Sequence, residues 1–172
     1  QDFNEGIKII TETAKKLACN QKIDKAVGAV RYLDKTKTKI KSHPHIPLWA
    51  NQPLKETLEN TLSAPVLLEN DAALAGLGEA VNGAGKDYNI VAYLTISTGV
   101  GGAKIENKKI DQTSVNSEPG FQIIKDDQTL EDLISGYGLQ KRFGKKAEDL
   151  KDPAVWDEVA KNLAIGIKNI AS

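Results

Sequence analysis

The sequence predicts an α/β fold, because short apolar segments typical of buried parallel strands alternate with amphipathic helical segments. Lys25–Val30 and Pro65–Leu68 are short and apolar, as expected of strands covered on both faces. Apolar side chains recur at helical spacing over residues 3–20, before the first of these strands, and over Leu54–Leu62, between the two. A further helix of small residues is predicted over Ala72–Val81.

Two connecting segments lie between these elements. Residues 36–41 (TKTKIK) alternate in polarity, and we expect an edge strand there. Residues 43–53 contain three prolines, which favours an ordered loop. Residues 82–88 are rich in turn-forming residues and are the best candidate for a boundary, so we expect two parts, residues 1–87 and 88–172.

The sequence of the second part, residues 88–172, predicts an antiparallel hairpin followed by helices. Ile90–Ile96 is the first strand, Thr98–Gly102 a tight turn and Ala103–Glu106 the returning strand. Further elements are predicted in chain order: a turn at Asn107-Lys108, a strand at Gln122–Ile124, a helix beginning at Thr129–Ile134, and a last helix that starts at Asp152-Pro153.

Composition excludes several classes of protein. The 172 residues contain 23 Lys and Arg against 23 Asp and Glu, which argues against nucleic acid as the partner of this segment. One cysteine excludes an intramolecular disulfide framework. No stretch approaches the ~20 apolar residues of a membrane span. We therefore expect a soluble, cytoplasmic protein that does not bind a membrane.

The strand–helix junction at Asn70-Asp71 is the first candidate for chemistry. A carboxylate at the carboxyl end of a buried strand points into the crevice where α/β proteins bind ligands, and a helix N-terminus favours its ionised form. An ionised Asp71 can accept a proton from a hydroxyl that attacks a phosphoryl group, while Asn70 holds that hydroxyl or its neighbour. Taken alone, the same pair is explained as a helix cap.

Two further groups are candidates. The glycines of residues 97–102 (STGVGG) let backbone N–H groups converge on an anion, with Thr98 as an extra donor, although an ordinary turn explains them too. Glu118 and Glu131 are carboxylates suited to sugar hydroxyls, or are plain surface residues. His43 and His45 lack a third metal ligand, and the lysines of residues 35–41 are expected to form a solvated face.

The order of these features resembles the ROK family (repressors, open reading frames and kinases). The matching segments run in the family's order from Asp24 to Gly136. They are residues 27–34 (VGAVRYLD), the Pro/Trp loop through Trp49, and residues 65–71 (PVLLEND), 78–79 (GE), 83–86 (GAGK), 94–102 (LTISTGVGG) and 118–121 (EPGF). The resemblance implies the actin-like ATPase (ribonuclease H-like) fold, with parts of two lobes present and the active site between them.

The resemblance also implies roles for individual residues. Asp71 matches the catalytic base and Asn70 its sugar-binding neighbour. Glu118 matches the sugar-binding glutamate of the E-x-G-H motif, and Glu131 a further sugar contact. The second phosphate loop matches Thr98, Gly99, Gly101 and Gly102. The implied cofactors are ATP and Mg²⁺, and the implied substrate is a hexose.

The departures from the family pattern are informative. Phe121 replaces the histidine of E-x-G-H, and the Cys-rich zinc loop is absent from residues 122–129, so we expect no structural zinc and no metal-binding residues. Arg31-Tyr32 replaces the usual Gly-Pro. The D-x-G-G-T phosphate loop and the adenine-side segment are also not found, and we expect the chain to be a piece of a longer protein, inactive alone.

Two functions remain open. The first is an ATP-dependent sugar kinase of glucokinase or fructokinase type, with Asp71 as the base. The alternative is a non-catalytic sugar-sensing module or degenerate kinase related to the family's transcriptional repressors, which Arg31, Tyr32 and Phe121 favour. The sequence specifies neither the sugar nor the oligomeric state, although a homodimer agrees with the family's habit of pairing.

Overall fold

The computed structural model describes residues 2–43, 45–111 and 118–171 and divides the chain into two compact units. The first unit is Gln1–Leu74 and the second is Ala75–Ser172. The expected lobes, residues 1–87 and 88–172, concern the domain organisation of the whole protein and stay a prediction. Each unit is described by itself below.

The first unit is a two-stranded parallel sheet with two helices. Strand β1 (Ala26–Ala29) pairs with β2 (Val66–Glu69) in the register Ala26↔Val66 to Ala29↔Glu69. Helix α1 (Phe3–Leu17) and helix α2 (Leu54–Leu62) contribute the apolar side chains that pack with the sheet. The buried core of this unit consists of Phe3, Ile7, Ile40, Trp49, Leu54, Leu58, Leu62, Ala64, Val66 and Leu68. Both predicted strands and both predicted helices are confirmed to within a few residues.

The predicted edge strand over residues 36–41 is wrong. The Asp34 carboxylate accepts hydrogen bonds from the backbone N–H groups of Thr38 (2.8 Å) and Lys39 (3.0 Å) and from the Thr36 hydroxyl. These bonds close the segment into a loop in which Lys37 adopts a left-handed φ of 55°. Strand-like pairing in this segment is limited to isolated bridges from Ile40 to Leu33 and to Ala50. Local side-chain to backbone bonds therefore replace the sheet ladder here.

The proline-rich segment is a loop with one 3₁₀ turn, Pro47–Trp49, as far as it is described; Pro44 lies outside the described residues. Trp49 is buried in the core, with its ring 5.2 Å from that of Phe3 in an edge-on arrangement. The prolines prevent a regular element, and the buried tryptophan anchors the loop.

Helix α3 (Asp71–Asn82) contains the division between the units, and its last part leads into the second unit. There, β3 (Ile90–Ile96), β4 (Val100–Glu106) and β5 (Lys109–Ile110) form an antiparallel sheet in that order. Gly76 of α3 packs so closely on Tyr93 of β3 that an added Cβ would lie 2.8 Å from the tyrosine Cβ. The Lys108 ammonium donates to backbone carbonyls at the end of α3 and in the following turn, namely those of Ala80, Gly85, Lys86 and Tyr88.

Helices and one small hairpin complete the second unit. Strands β6 (Ile123–Lys125) and β7 (Gln128–Thr129) pair before helices α4 (Leu130–Ile134), α5 (Gly136–Phe143) and α6 (Pro153–Ala171). One buried cluster of this unit contains Val100, Leu130, Leu133 and Ile134. The prediction missed α5, which is only eight residues long. Among the described residues, no helix combines the length and apolar character needed to cross a membrane.

The Asp34 loop should make part of the stability depend on pH. The Thr36 hydroxyl, with the backbone N–H groups of Thr38 and Lys39, lowers the pKa of Asp34 from 3.8 to about 2. A lowered pKa in the folded state stabilises the fold above the unfolded value, and this contribution is lost as the pH falls from about 4 towards 2. In Asp34→Asn this pH-dependent contribution to the free energy of unfolding is absent.

The measurement is urea unfolding of the wild type and Asp34→Asn at a series of pH values. We expect the difference between their free energies of unfolding to shrink as the pH falls from 4 to 2. Parallel curves across this range would show that the Asp34 carboxylate does not stabilise the loop in its ionised form.

Candidate functional site

The junction between β2 and α3 displays Asp71 at the N-terminus of a helix. Asn70 is the cap: its Oδ1 accepts from the backbone N–H groups of Ala72 (2.9 Å) and Ala73 (3.2 Å). Asp71 is exposed, and its Oδ1 accepts from the N–H of Ala72 at 2.9 Å. The Asn70 side-chain oxygen therefore acts as a helix cap, which is one of the two interpretations given above. Its amide Nδ2 is the group that this side chain can offer to a ligand.

An ion pair with a buried carboxylate lies directly beside this junction. Glu69 is 6% exposed, its Oε2 contacts the Lys37 ammonium, and its Oε1 accepts from the N–H of Asn70 at 2.9 Å. The expectation that the lysines of residues 35–41 form only a solvated face is wrong for Lys37, because the Asp34 loop turns it towards Glu69. The signal in the sequence was a glutamate at the end of a buried strand, which needs a cationic partner.

The turn between β3 and β4 is shorter than predicted. Residues 97–99 form it, and β4 starts at Val100, so Gly101 and Gly102 lie in a strand, paired with Thr95 and Leu94. The expectation of a tight turn over Thr98–Gly102 is wrong in extent. Gly101 and Gly102 thus belong to the start of β4, and the turn itself consists of Ser97, Thr98 and Gly99.

Helix α5 fixes this turn through hydrogen bonds. The N–H groups of Gly136 and Tyr137, at the start of α5, donate to the carbonyl oxygens of Ser97 (2.8 Å) and Thr98 (3.0 Å). Within the part of the chain that the structure describes, the N–H groups of Thr98 and Gly99 donate no hydrogen bond. The turn is thus held through its carbonyls, and two N–H groups are available to an acceptor such as a phosphate oxygen.

Glu131 contacts the same turn from helix α4. Its Oε2 accepts from the backbone N–H of Val100 at 2.7 Å, and a Cβ added to Gly99 would lie 2.6 Å from this oxygen. A capping box between Thr129 and Asp132 begins the helix, and the Thr129 hydroxyl, followed by its N–H, lowers the pKa of Asp132. A side chain at position 99 would displace the Glu131 carboxylate from its present place beside the turn.

Glu118 is placed by a 3₁₀ turn, Pro119–Phe121, that packs on β4. A Cβ added to Gly102 would lie 2.6 Å from Pro119 Cγ, and one added to Gly120 would lie 2.3 Å from the Val100 carbonyl oxygen. Glu118 itself is half-buried. The second unit thus contains both predicted sugar-binding carboxylates and all four predicted phosphate-binding residues, while Asn70 and Asp71 belong to the first unit. Whether the two groups meet stays a prediction.

A cleft of about 570 Å³ lies beside the turn in the second unit. Its apolar wall comes from Ile96, Ile134, Leu139 and Trp156, and its polar lining includes Thr98, Gln140 and Lys146. Both the volume and the mixture of an apolar wall with a few polar groups are typical of small-molecule sites, which measure ~300–1,000 Å³. Sequence reasoning missed this cleft because α5 was not predicted.

Two further features concern possible metal ligands and the Arg31-Tyr32 pair that follows β1. Among residues 2–43, 45–111 and 118–171, no three His, Cys, Asp or Glu side chains gather as a metal site. The His43 ring contacts the Tyr32 ring edge-on at a centroid distance of 5.3 Å, and the Arg31 guanidinium lies 5.4 Å from the centre of the Tyr32 ring. His43 is thus engaged in an aromatic cluster after β1.

Solved structures with the same architecture define the class of protein. The chain superposes on the ROK hexokinase of Thermus thermophilus with a TM-score of 0.79 at 22% identity, over 99% of this chain and 66% of that one. It also superposes on the inorganic polyphosphate/ATP-glucomannokinase of an Arthrobacter strain, with a TM-score of 0.55 at 27% identity, over 85% of this chain and 51% of that one. The fold is accordingly the α/β fold of the actin-like ATPases, as predicted.

Sequence comparisons identify the family. The ROK family model matches residues 1–171, and the chain belongs to the ROK family. A Streptomyces coelicolor glucokinase is 37% identical over 114 residues, which is 66% of this chain and 35% of the glucokinase. An uncharacterised Clostridium perfringens protein is 33% identical over 147 residues, 74% of this chain and 50% of that protein. The chain thus spans half or less of the length of these curated relatives.

The contact between Glu131 and Val100 gives a prediction for the turn. We expect Glu131→Ala to lower the free energy of unfolding by about 1–2 kcal/mol, because the N–H of the buried Val100 loses its acceptor. Glu131→Gln keeps an amide oxygen at this position and should stay close to the wild type. Urea unfolding and amide hydrogen exchange at Val100 measure both effects, and equal exchange rates in the two variants would contradict this role of the carboxylate.

Proposed function

We propose that the protein containing this chain is an ATP-dependent sugar kinase of the ROK family, of glucokinase or fructokinase type, which transfers the γ-phosphoryl group of ATP to a hexose hydroxyl. Asp71 is the general base, and Asn70, Glu118 and Glu131 bind the sugar. Thr98, Gly99, Gly101 and Gly102 bind the phosphates. The exposed carboxylate of Asp71, held at the start of α3 by a hydrogen bond from the backbone N–H of Ala72, is the observation on which this proposal rests.

The position of Asp71 suits the removal of a proton from a hydroxyl. The helix N-terminus favours the ionised carboxylate, and exposure allows a ligand to approach it. Its Oδ1 is occupied by the N–H of Ala72, so Oδ2 is the oxygen suited to accept the proton. Phosphoryl transfer depends on positioning and electrostatics, so a base held by its own backbone is well suited to the reaction.

The charge around the turn limits how phosphates bind. Two N–H groups, from Thr98 and Gly99, attract a phosphate oxygen, but the Glu131 carboxylate beside Gly99 repels it. A cation that accompanies the phosphates removes this conflict. Mg²⁺ binds phosphates and keeps most of its waters, with only one or two carboxylates from the protein. We therefore propose Mg²⁺-ATP as the phosphate donor.

The cleft of about 570 Å³ is where we place the base and ribose of the nucleotide. Thr98 belongs both to the turn and to the lining of the cleft. A nucleotide whose phosphates lie at the turn can therefore extend into the adjoining cleft. The apolar wall that includes Trp156 and Leu139 suits an aromatic base. These features support nucleotide binding by the second unit.

A second candidate is a sugar-responsive module without catalysis. The Bacillus subtilis xylose repressor is 36% identical over 62 residues of the chain. Phe121, where the E-x-G-H motif has histidine, is 64% exposed, and the Arg31-Tyr32 pair replaces Gly-Pro. Isothermal calorimetry of the full-length protein with ATP and a panel of hexoses separates the two: sugar binding without nucleotide binding favours the module.

The role of Asp71 is tested by Asp71→Asn in the full-length protein. We expect hexose phosphorylation to fall by about 10²–10⁴-fold, since that is the usual contribution of a general base, while sugar binding remains measurable. Asp87→Asn, at an exposed aspartate in the turn after α3, is the matched control. Near-normal turnover of Asp71→Asn, measured by ADP release, would exclude Asp71 as the base.

Two substitutions at position 70 separate capping from sugar binding. Asn70→Asp keeps an oxygen that accepts from the N–H groups of Ala72 and Ala73 but loses the amide donors. We expect unchanged stability and a KM for the sugar raised about tenfold, the cost of one lost hydrogen bond to a ligand. Asn70→Ala should in addition lower the free energy of unfolding by about 1 kcal/mol. Steady-state kinetics and urea unfolding give the two quantities, and an unchanged KM in Asn70→Asp rules out the amide as a sugar ligand.

A further inference from the structure

The Lys37–Glu69 ion pair is connected to the candidate base by a short series of hydrogen bonds. The Lys37 ammonium contacts Glu69 Oε2, and Glu69 Oε1 accepts from the backbone N–H of Asn70 at 2.9 Å. Asn70 in turn caps α3 through the N–H groups of Ala72 and Ala73. The loop after β1 is thus linked, through one buried carboxylate, to the residue that precedes Asp71.

Burial makes the lysine important for the carboxylate. Glu69 is 6% exposed, and a buried carboxylate without a counter-charge is strongly disfavoured. The Lys37 side chain is 30% exposed, so this cation balances the charge while still in contact with water. Without the Lys37 cation, the Glu69 carboxylate is more stable in solvent than in its buried position. Its movement towards solvent would break the hydrogen bond from the N–H of Asn70.

The backbone at Lys37 is held in a left-handed conformation. Its φ of 55° is left-handed, a conformation that glycine adopts without the steric cost borne by a lysine. The Asp34 carboxylate imposes this conformation through its bonds to Thr38 and Lys39. The left-handed lysine is directed at Glu69, so the loop presents a cation at the site.

We propose that Lys37 and Glu69 are positioning residues that hold the Asn70-Asp71 backbone in the geometry needed for phosphoryl transfer. This inference rests on the proposed kinase function. Glu69 fixes the N–H of Asn70, and Lys37 keeps Glu69 in place. Catalysis is sensitive to such placement, since an error of ~1 Å costs up to ~10²-fold in rate. Neither residue contacts the substrate in this proposal.

The test compares Lys37→Met, Lys37→Gly and Lys37→Arg in the full-length protein with Lys55→Met. Lys55 is the matched control because it also pairs with a glutamate in the first unit, Glu59 at 3.9 Å, and that glutamate accepts from the backbone N–H of Val66 and not from that of Asn70. Lys37→Gly removes the charge, and glycine adopts the left-handed backbone conformation without steric cost. This variant therefore separates the effect of the lost charge on catalysis from an effect of backbone strain on stability. The measurements are kcat, the KM values for hexose and ATP, thermal stability, and hydrogen exchange at the Asn70 amide.

We expect kcat to fall about tenfold in both Lys37→Met and Lys37→Gly, with the KM for ATP within about twofold of the wild type. Hydrogen exchange at Asn70 should be faster in both. Lys37→Arg should restore most of kcat, and Lys55→Met should retain it. A loss of kcat in Lys37→Gly without a matching loss of thermal stability distinguishes positioning from a purely structural ion pair.

Two failures can be told apart. If the wild type phosphorylates hexoses but kcat in Lys37→Met and Lys37→Gly equals that of Lys55→Met, this inference is wrong and the proposed function stands. If kcat falls only in proportion to the loss of folded protein, the pair is structural and the inference is again overturned. A full-length wild type that phosphorylates no hexose overturns the proposed function itself, and with it the catalytic role of the pair.

Discussion

The free N–H groups at helix N-termini are the constraint on which the candidate site depends in both units. These groups have no partner inside their own helix and must find acceptors outside it. In the first unit Asn70 supplies the acceptor for α3. In the second unit the carbonyls of Ser97 and Thr98 accept from the start of α5. The bonds that complete each helix therefore also fix the residues proposed to bind substrate.

Side-chain carboxylates complete this arrangement, each in a different environment. Glu69 is buried and paired with Lys37, Glu131 accepts from the N–H of Val100, and Asp71 is exposed. A carboxylate whose oxygens are already engaged positions backbone, whereas an exposed one can accept a proton or a ligand. This difference is why Asp71, and not Glu69, is the proposed base although the two are only two residues apart.

Membership of the ROK family does not by itself decide between catalysis and sugar sensing. Glucokinases and a xylose repressor both match this chain. The distinction depends on whether a nucleotide binds as well as a sugar, because phosphoryl transfer needs a donor and sensing does not. The cleft beside Thr98 and the N–H groups of the turn favour a nucleotide, and the exposed Phe121 is the feature that fits a kinase least.

The sequence alone determined the family, the α/β class and most of the strands and helices, because buried strands and amphipathic helices leave periodic patterns and because Asn70-Asp71 marks a strand–helix junction. It did not determine the Asp34 loop, the extent of the turn after β3, or the short helix α5, all of which depend on hydrogen bonds between residues outside any periodic pattern. It also placed Lys37 in solvent. Only the tertiary structure brings this lysine to Glu69, because the pair is separated by 32 positions and meets through the folding of a loop onto a parallel strand.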